Sequence, residues 1–460
     1  MSCDGYIATK PPAPGVGSNM TDRTMEAWRR STRAAAPGDL QRSIAIPAHG
    51  FLRKLLAFGG PGYLISVGYM DPGNWATDLG GGSAYGYLLL SVVVLSSLMA
   101  MLLQTLSLRL GIATGRDLAQ ACRDAYPRPA ALALWLFAEI GIVACDLAEV
   151  VGTAIALELL FGLPLFWGVL LTAFDTLIVL ALQRFGFRLV EAIVIGLIML
   201  IVICFAYEII AAKPNLGDLA AGLVPQSAIF RDSGALFIAV GIIGATVMPH
   251  NLYLHSSLVQ TRQFVQDRGG RREAIRFSTL DSCIALTLAL LVNAAILVLA
   301  AATFHRSGLT QITEIQDAYK LLTPLLGGSL AAIVFAIALL LSGQNSTLTG
   351  TMAGQIVMLG FLDLKLAPWL RRLVTRLLAI APAAAIIAVA GEAATGQLLI
   401  ASQVVLSMQL PFAMVPLVLF TADRRKMGSF VSPPWLTILA WIVSLAIIAL
   451  NAKLLFDLLT

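Results

Sequence analysis

Two stretches decide how this 460-residue chain is read: Gly68-Tyr69-Met70-Asp71-Pro72-Gly73-Asn74 and Gly244-Ala245-Thr246-Val247-Met248-Pro249-His250. Each interrupts a run of apolar residues. Pro249 has no N–H, so the carbonyl of Ala245, four residues earlier, loses its helical partner. Pro72 does the same to Gly68. Gly73 adds backbone freedom. Freed carbonyls inside hydrocarbon are costly unless something binds them. For either proline alone, a simple kink is the plain alternative. Here each proline sits beside potential ligands. Asp71 and Asn74 flank Pro72 and Gly73, and Met248 and His250 flank Pro249. That clustering points to a cation held where two helices break.

The sequence around the breaks places them in a membrane. Hydrophobic residues make up 58% and charged residues 12%, against about 25% charged in a soluble domain. A soluble enzyme or nucleic-acid-binding domain is excluded on that ground. Eleven apolar runs are long enough to cross a hydrocarbon core of about 30 Å: 57–82, 86–111, 131–161, 165–183, 190–212, 233–260, 276–303, 327–360, 372–390, 397–421 and 433–457. Continuous runs predict helices, because a β-barrel would show short alternating segments. The breaks fall in spans one and six. An odd repeat of five starts its second copy on the opposite side of the bilayer. Matching interruptions therefore point to an inverted-repeat transporter with its site at the midplane. The expected fold is an all-α membrane protein of eleven transmembrane helices. It has inverted repeats over about 57–212 and 233–421, and an extra helix over about 433–457.

Basic residues set the orientation. With the N-terminus inside, all but five of the 31 Lys and Arg fall on the cytoplasmic side; the five are Lys213, Arg231, Arg306, Lys320 and Lys453. This bias predicts a cytoplasmic N-terminus and an extracytoplasmic C-terminus. It also explains the net charge of +5 without a polyanionic partner. Residues 1–50 have no apolar core of signal-peptide type and read as a disordered cytoplasmic tail. Residues 51–460 form the transporter domain. The five cysteines have no CxxC spacing, so neither a disulfide framework nor a zinc ribbon is expected.

At the breaks, Asp71 offers a carboxylate, Asn74 an amide oxygen, Ala245 a freed carbonyl and Met248 a thioether. Oxygen-only sites suit Mg2+ and Ca2+; a thioether favours softer transition metals. Packing is the alternative for Met248. Span three carries Glu139, Asp146, Glu149 and Thr153 near one helical face. Three carboxylates there imply a wet or proton-carrying path, or a pairing of Asp146 and Glu149 with Arg371 or Arg372. His250 is a natural relay. His255 is a relay or a structural hydrogen bond. The polar run Ser342–Thr349 lines a pathway or joins helices. Gln403 or Gln409 in span ten adds a ligand oxygen.

Asp71-Pro72-Gly73-Asn74 in register with Met248-Pro249-His250 closely resembles the Nramp family of proton-coupled divalent metal transporters. Asp146-Leu147-Ala148-Glu149 through Thr153, Asn251 through Ser257, and Ser407 through Phe412 resemble it too, and the likeness spans about residues 55–455. The resemblance implies the leucine-transporter fold, a ten-helix inverted repeat with one added helix here. It implies that Asp71, Asn74, Met248 and the Ala245 carbonyl bind the metal and that Gln403 joins on occlusion. It implies a proton path through His250, Asp146 and Glu149, and proton-exit or inner-gate roles for Arg262, Arg371 and Arg372. Magnesium-carrying relatives lack the methionine, so the expected cargo is Mn2+ or Fe2+.

The function expected is import of these ions with protons by alternating access, in the inner membrane of a bacterium. No resident cofactor, nucleic acid or obligatory protein partner is expected. A sodium- or proton-coupled symporter of the same fold carrying an amino acid is the alternative, and an anionic Asp71 at the site argues against it. A metalloenzyme is disfavoured, because the four histidines form no HExxH motif.

Overall fold

The computed structural model describes residues 44–47, 49–175, 187–326, 329–363, 368–390 and 395–459. Nearly all of them are helical. The helices of the N-terminal half are α1 (Phe51–Phe58), α2 (Pro61–Gly68), α3 (Pro72–Tyr85), α4 (Leu90–Thr114), α5 (Leu118–Ala125), α6 (Arg128–Phe161), α7 (Leu165–Leu171), α8 (Phe187–Ala212) and α9 (Leu216–Gly222). Then come α10 (Ser233–Val247), α11 (Pro249–Leu258), α12 (Arg268–Thr303), α13 (Ile315–Leu326), α14 (Ser329–Leu362), α15 (Pro368–Ala390), α16 (Thr395–Ala422), α17 (Arg424–Met427) and α18 (Pro434–Leu459). The two short strands, β1 (Ile44–Ala45) and β2 (Arg262–Gln263), pair in parallel. Ile44 and Ala45 fall in the stretch expected as a tail; residues 1–43 lie outside the described residues.

Among the described residues, eight helical stretches are long and apolar enough to cross a membrane: Leu90–Thr114, Arg128–Phe161, Arg188–Ala212, Ser233–Thr261, Arg268–Ser307, Leu330–Leu362, Thr395–Ala422 and Pro434–Asp457. The other three expected spans fall short for different reasons. The first is two pieces, α2 of 8 residues and α3 of 14. The fourth is described only in part, since residues 176–186 lie outside the described residues. In the ninth, the apolar part of α15 is the shorter Leu373–Val389. Large apolar side chains such as Leu136, Ile203, Ile210, Ile442 and Leu445 stay exposed. Such a surface suits hydrocarbon rather than water.

The long helix α6 packs against α14, α16, α15 and α7, and α12 packs against α4, α3 and α2. Small residues allow the closest approaches. Residue 152 on α6 has no side chain, and the Pro72 ring fills the space one would need. Gly244 on α10 likewise admits the backbone of Gln403 on α16.

We expect Gly152→Ala to lower the thermal unfolding midpoint of the detergent-solubilised protein. The proline ring cannot give way, and overpacking a fitted interior costs about 1–3 kcal/mol. Gly196→Ala on α8 meets open space and should match the wild type. Equal midpoints for both variants would show that α6 does not rest on the Pro72 ring.

Candidate functional site

The first break begins where α2 stops at Gly68 and ends where α3 starts at Pro72. Asp71 is the N-cap of α3, and its Oδ1 accepts the Asn74 N–H at 2.8 Å. Aspartate caps recur at Asp117, Asp232, Asp267 and Asp423, the usual way to satisfy a helix start. Asp71, buried like Asp117, differs from all four in lying inside one of the expected spans. The positive end of the α3 dipole faces its carboxylate. At the second break α10 ends at Val247, and Met248, with φ 29°, turns the chain into α11. A positive φ is uncommon for a residue with a side chain. Here the Pro249 ring fixes the first φ of α11, and the Asn251 N–H reaches back to the Met248 carbonyl at 3.2 Å.

The two breaks face each other. A Cβ at residue 68 would lie 3.2 Å from Met248 Sδ. Asn251 Nδ2 donates to the Ile65 carbonyl of α2 at 3.3 Å and lies 3.6 Å from Met248 Sδ. Gln403 of α16 sits between them, its amide over Gly73 and its carbonyl against Gly244. Gln409 lies elsewhere, against Gly141 of α6. Asp71, Asn74, Ala245, Met248 and Gln403 are all buried. Asn74 Oδ1 and Gln403 Oε1 have no hydrogen-bond partner among the described residues. Buried polar atoms are normally paired, so two idle oxygens beside a carboxylate and a thioether make a donor set suited to a cation. Among the described residues no three His, Cys, Asp or Glu side chains converge as a metal cluster; the set is mixed.

On α6 the expected carboxylates separate. Glu139 is half-buried and accepts from Trp135 Nε1 at 3.1 Å. Asp146 and Glu149 meet Arg376 of α15 at 3.7 and 3.3 Å. Arg376 also pairs with Asp175 at 3.6 Å, and Ser346 Oγ donates to Glu149 Oε1 at 2.7 Å. The basic partners expected from the sequence are at positions 371 and 372 of this helix, whose side chains lie outside the described residues. The helical period supplies the reason for 376. It is one turn further into the span, level with carboxylates that are themselves deep. An arginine in the middle of an apolar helix is the sequence signal for it.

His250 is buried, and its Nδ1 has no partner among the described residues. His255 lies in a chain in which its Nδ1 and Gln104 Oε1 are 2.9 Å apart and Gln104 Nε2 is bonded to the Tyr69 hydroxyl at 2.6 Å. Arg262 is buried beside the start of α2, 2.8 Å from Glu191 Oε1 on α8, and donates to the Gly59 carbonyl. Asp281 of α12 accepts from the Gly60 and Gly62 N–H groups at 3.2 and 2.7 Å. These contacts tie down the start of α2. Sequence reasoning passes over Cys145, whose Sγ lies 3.8 Å from Asp71 Oδ2 and 3.7 Å from Glu149 Oε1. It passes over the buried carboxyls of Asp78 and Glu208 as well, each an ionisable group in an apolar run.

Comparison with known proteins agrees with this architecture. Residues 62–457 match the sequence model of the Nramp family, described as natural resistance-associated macrophage protein-like. A relative in Listeria monocytogenes serotype 4a, named divalent metal cation transporter MntH, is 56% identical over 441 residues, covering 96% of this chain and 98% of the relative. The crystal structure of the Eremococcus coleocola manganese transporter is similar at a TM-score of 0.84 and 41% identity, covering 92% of this chain and 90% of that one. The structure of MhsT in complex with L-phenylalanine, at 14% identity and a TM-score of 0.58 over 85% of this chain and 98% of that one, shares the fold alone. With a match over most of its length and relatives named as transporters, the chain belongs to the Nramp family.

Proposed function

We propose that this protein is a secondary transporter importing Mn2+, and also Fe2+, by alternating access coupled to protons. The observation that carries the reading is the meeting of two helix breaks around one buried donor set. Asp71, Asn74 and Gln403 supply oxygens, the Ala245 carbonyl is released by Pro249, and Met248 supplies sulfur. Relatives named for divalent metal cations and for manganese support it. In this reading the ion sheds most of its waters to these groups. The carboxylate and carbonyl suit a hard divalent ion, and the thioether tips the balance toward softer transition metals. The eleven expected spans form two inverted repeats and one extra helix, with the N-terminus in the cytoplasm and the C-terminus outside a bacterial inner membrane. The rocking elements are the two broken helices.

Protons take a path through Asp71, His250, Asp146 and Glu149, with Glu139 at its edge. Arg371, Arg372 and Arg262 lie toward the cytoplasmic exit, and Arg262 also closes the inner gate. His255, through Gln104, holds Tyr69 beside the first break. An ion pair such as Glu149–Arg376 can exchange partners as charge arrives at Asp71, which lets a carboxylate network carry a proton without leaving a bare charge in hydrocarbon.

Liposomes holding the purified protein test this reading in three ways. Mn2+ uptake is accelerated by an inward proton gradient, and Asp71→Ala brings it to the protein-free rate; uptake at the wild-type rate in that variant refutes the site. Met248→Ala loses about tenfold in preference for Mn2+ over Mg2+ and Ca2+, the low end of what one group at a metal site contributes. Unchanged preference removes the sulfur from the mechanism. Glu149→Gln reduces the internal acidification that accompanies each Mn2+ taken up, read with an entrapped pH dye. An unaltered proton-to-metal ratio takes Glu149 out of the path.

A further inference from the structure

Cys145 stands on α6 one turn before Glu149 and directly before Asp146. It is buried and packs in one small apolar cluster with Met248 of the second break and Leu406 of α16. Its Sγ is 3.8 Å from Asp71 Oδ2 and 3.7 Å from Glu149 Oε1. The thiol therefore touches the carboxylate of the first break, the methionine of the second and the acid that Arg376 holds. The idle Asn74 Oδ1 and Gln403 Oε1 mark the same region as short of a ligand.

From this geometry we infer that Cys145 is a specificity-determining residue, a second soft donor that contacts thiophilic cations held at the two breaks. The inference rests on the metal-transport reading and deepens it. A thiolate is a far better metal ligand than a thiol. When the ion is soft enough, the S–H bond breaks as the S–metal bond forms, and the proton passes to Glu149 Oε1. One positive charge leaves the sulfur for the neighbouring carboxylate, so the step is balanced. Less thiophilic ions such as Mn2+ gain little from a second sulfur beyond the Met248 thioether and stay on the oxygens and Met248. Cys145 thus sets how far the site favours Cd2+, the thiophilic probe, over Mn2+. A serine there is slightly smaller and keeps an X–H group at that position, while removing the soft sulfur.

The test uses the full-length protein in liposomes and in detergent. Cys145→Ser should reduce the Cd2+-over-Mn2+ ratio, measured as Cd2+ inhibition of Mn2+ uptake, by about tenfold, in line with the loss of one group at a metal site. Cys204→Ser, on α8 and away from the breaks, should leave the ratio at the wild-type value. In detergent, Cd2+ should produce an ultraviolet sulfur-to-metal charge-transfer band that Cys145→Ser lacks and Cys204→Ser keeps. A ratio and a band unchanged in Cys145→Ser would overturn the inference while leaving metal transport intact. A wild type that takes up no Mn2+ would instead overturn the transport reading. Should Cys145→Ser fail to fold, Cys145→Ala carries the same expectation, and the charge-transfer band reads it without transport.

Discussion

A peptide group in hydrocarbon must find a partner, and the organisation of this protein turns on two places where that rule is strained. Pro72 and Pro249 each remove a donor in mid-span, and the chain answers by ending one helix and starting another. Asp71 caps the new start of α3. Met248 takes up a left-handed turn before α11. The surrounding helices then close on the gaps. Gly152 lets α6 approach Pro72, and Gly244 lets α16 approach α10. The breaks are thus supported by close backbone and ring approaches from α6 and α16, which keeps the donors in place.

Under the proposed reading, burial makes this site selective and also costly. A carboxylate, two amides and a thioether sit in a region from which water is excluded, and each unpaired atom carries the expense of lost hydration. An ion of the right charge and softness relieves several of those costs together. The same logic governs Asp146, Glu149 and Asp175, which share Arg376. Sharing one buried arginine offsets part of the cost of burying these acids, and removing any one partner would leave the others exposed to that cost.

Much of this is legible in the sequence itself. Composition and run length identify the membrane class. The two prolines with their neighbouring ligands mark the breaks, and these residues meet in space. Periodicity on span three puts Asp146 and Glu149 on one face. It also suggests Glu139, which instead pairs with Trp135; a heptad keeps the face but moves the group two turns along the axis, beyond side-chain reach. Arg376 and Cys145 are harder to see because their meaning depends on contacts between helices far apart in sequence. A single sequence holds no register between such helices. The first expected span, 57–82, is two helices in the structure, because the break leaves pieces of 8 and 14 residues, each too short to cross alone.

The eight-residue α2 carries a mechanical consequence. It is bounded by Gly59 and Gly60 on one side and by the unwound residues 69–71 on the other. Gly60 takes φ 130°, which a residue with a side chain rarely adopts. Glu191 and Arg262 occupy the space its Cβ would need. A rigid rod with a joint at each end can be reoriented without unwinding any of its own turns. The energetic cost lies outside it, in the Arg262–Glu191 pair and the two N–H groups held by Asp281. Under the proposed alternating access, resistance to reorienting this rod therefore lies at its hinge-side clasp, and substitutions there would change that motion without touching the donors at its far end.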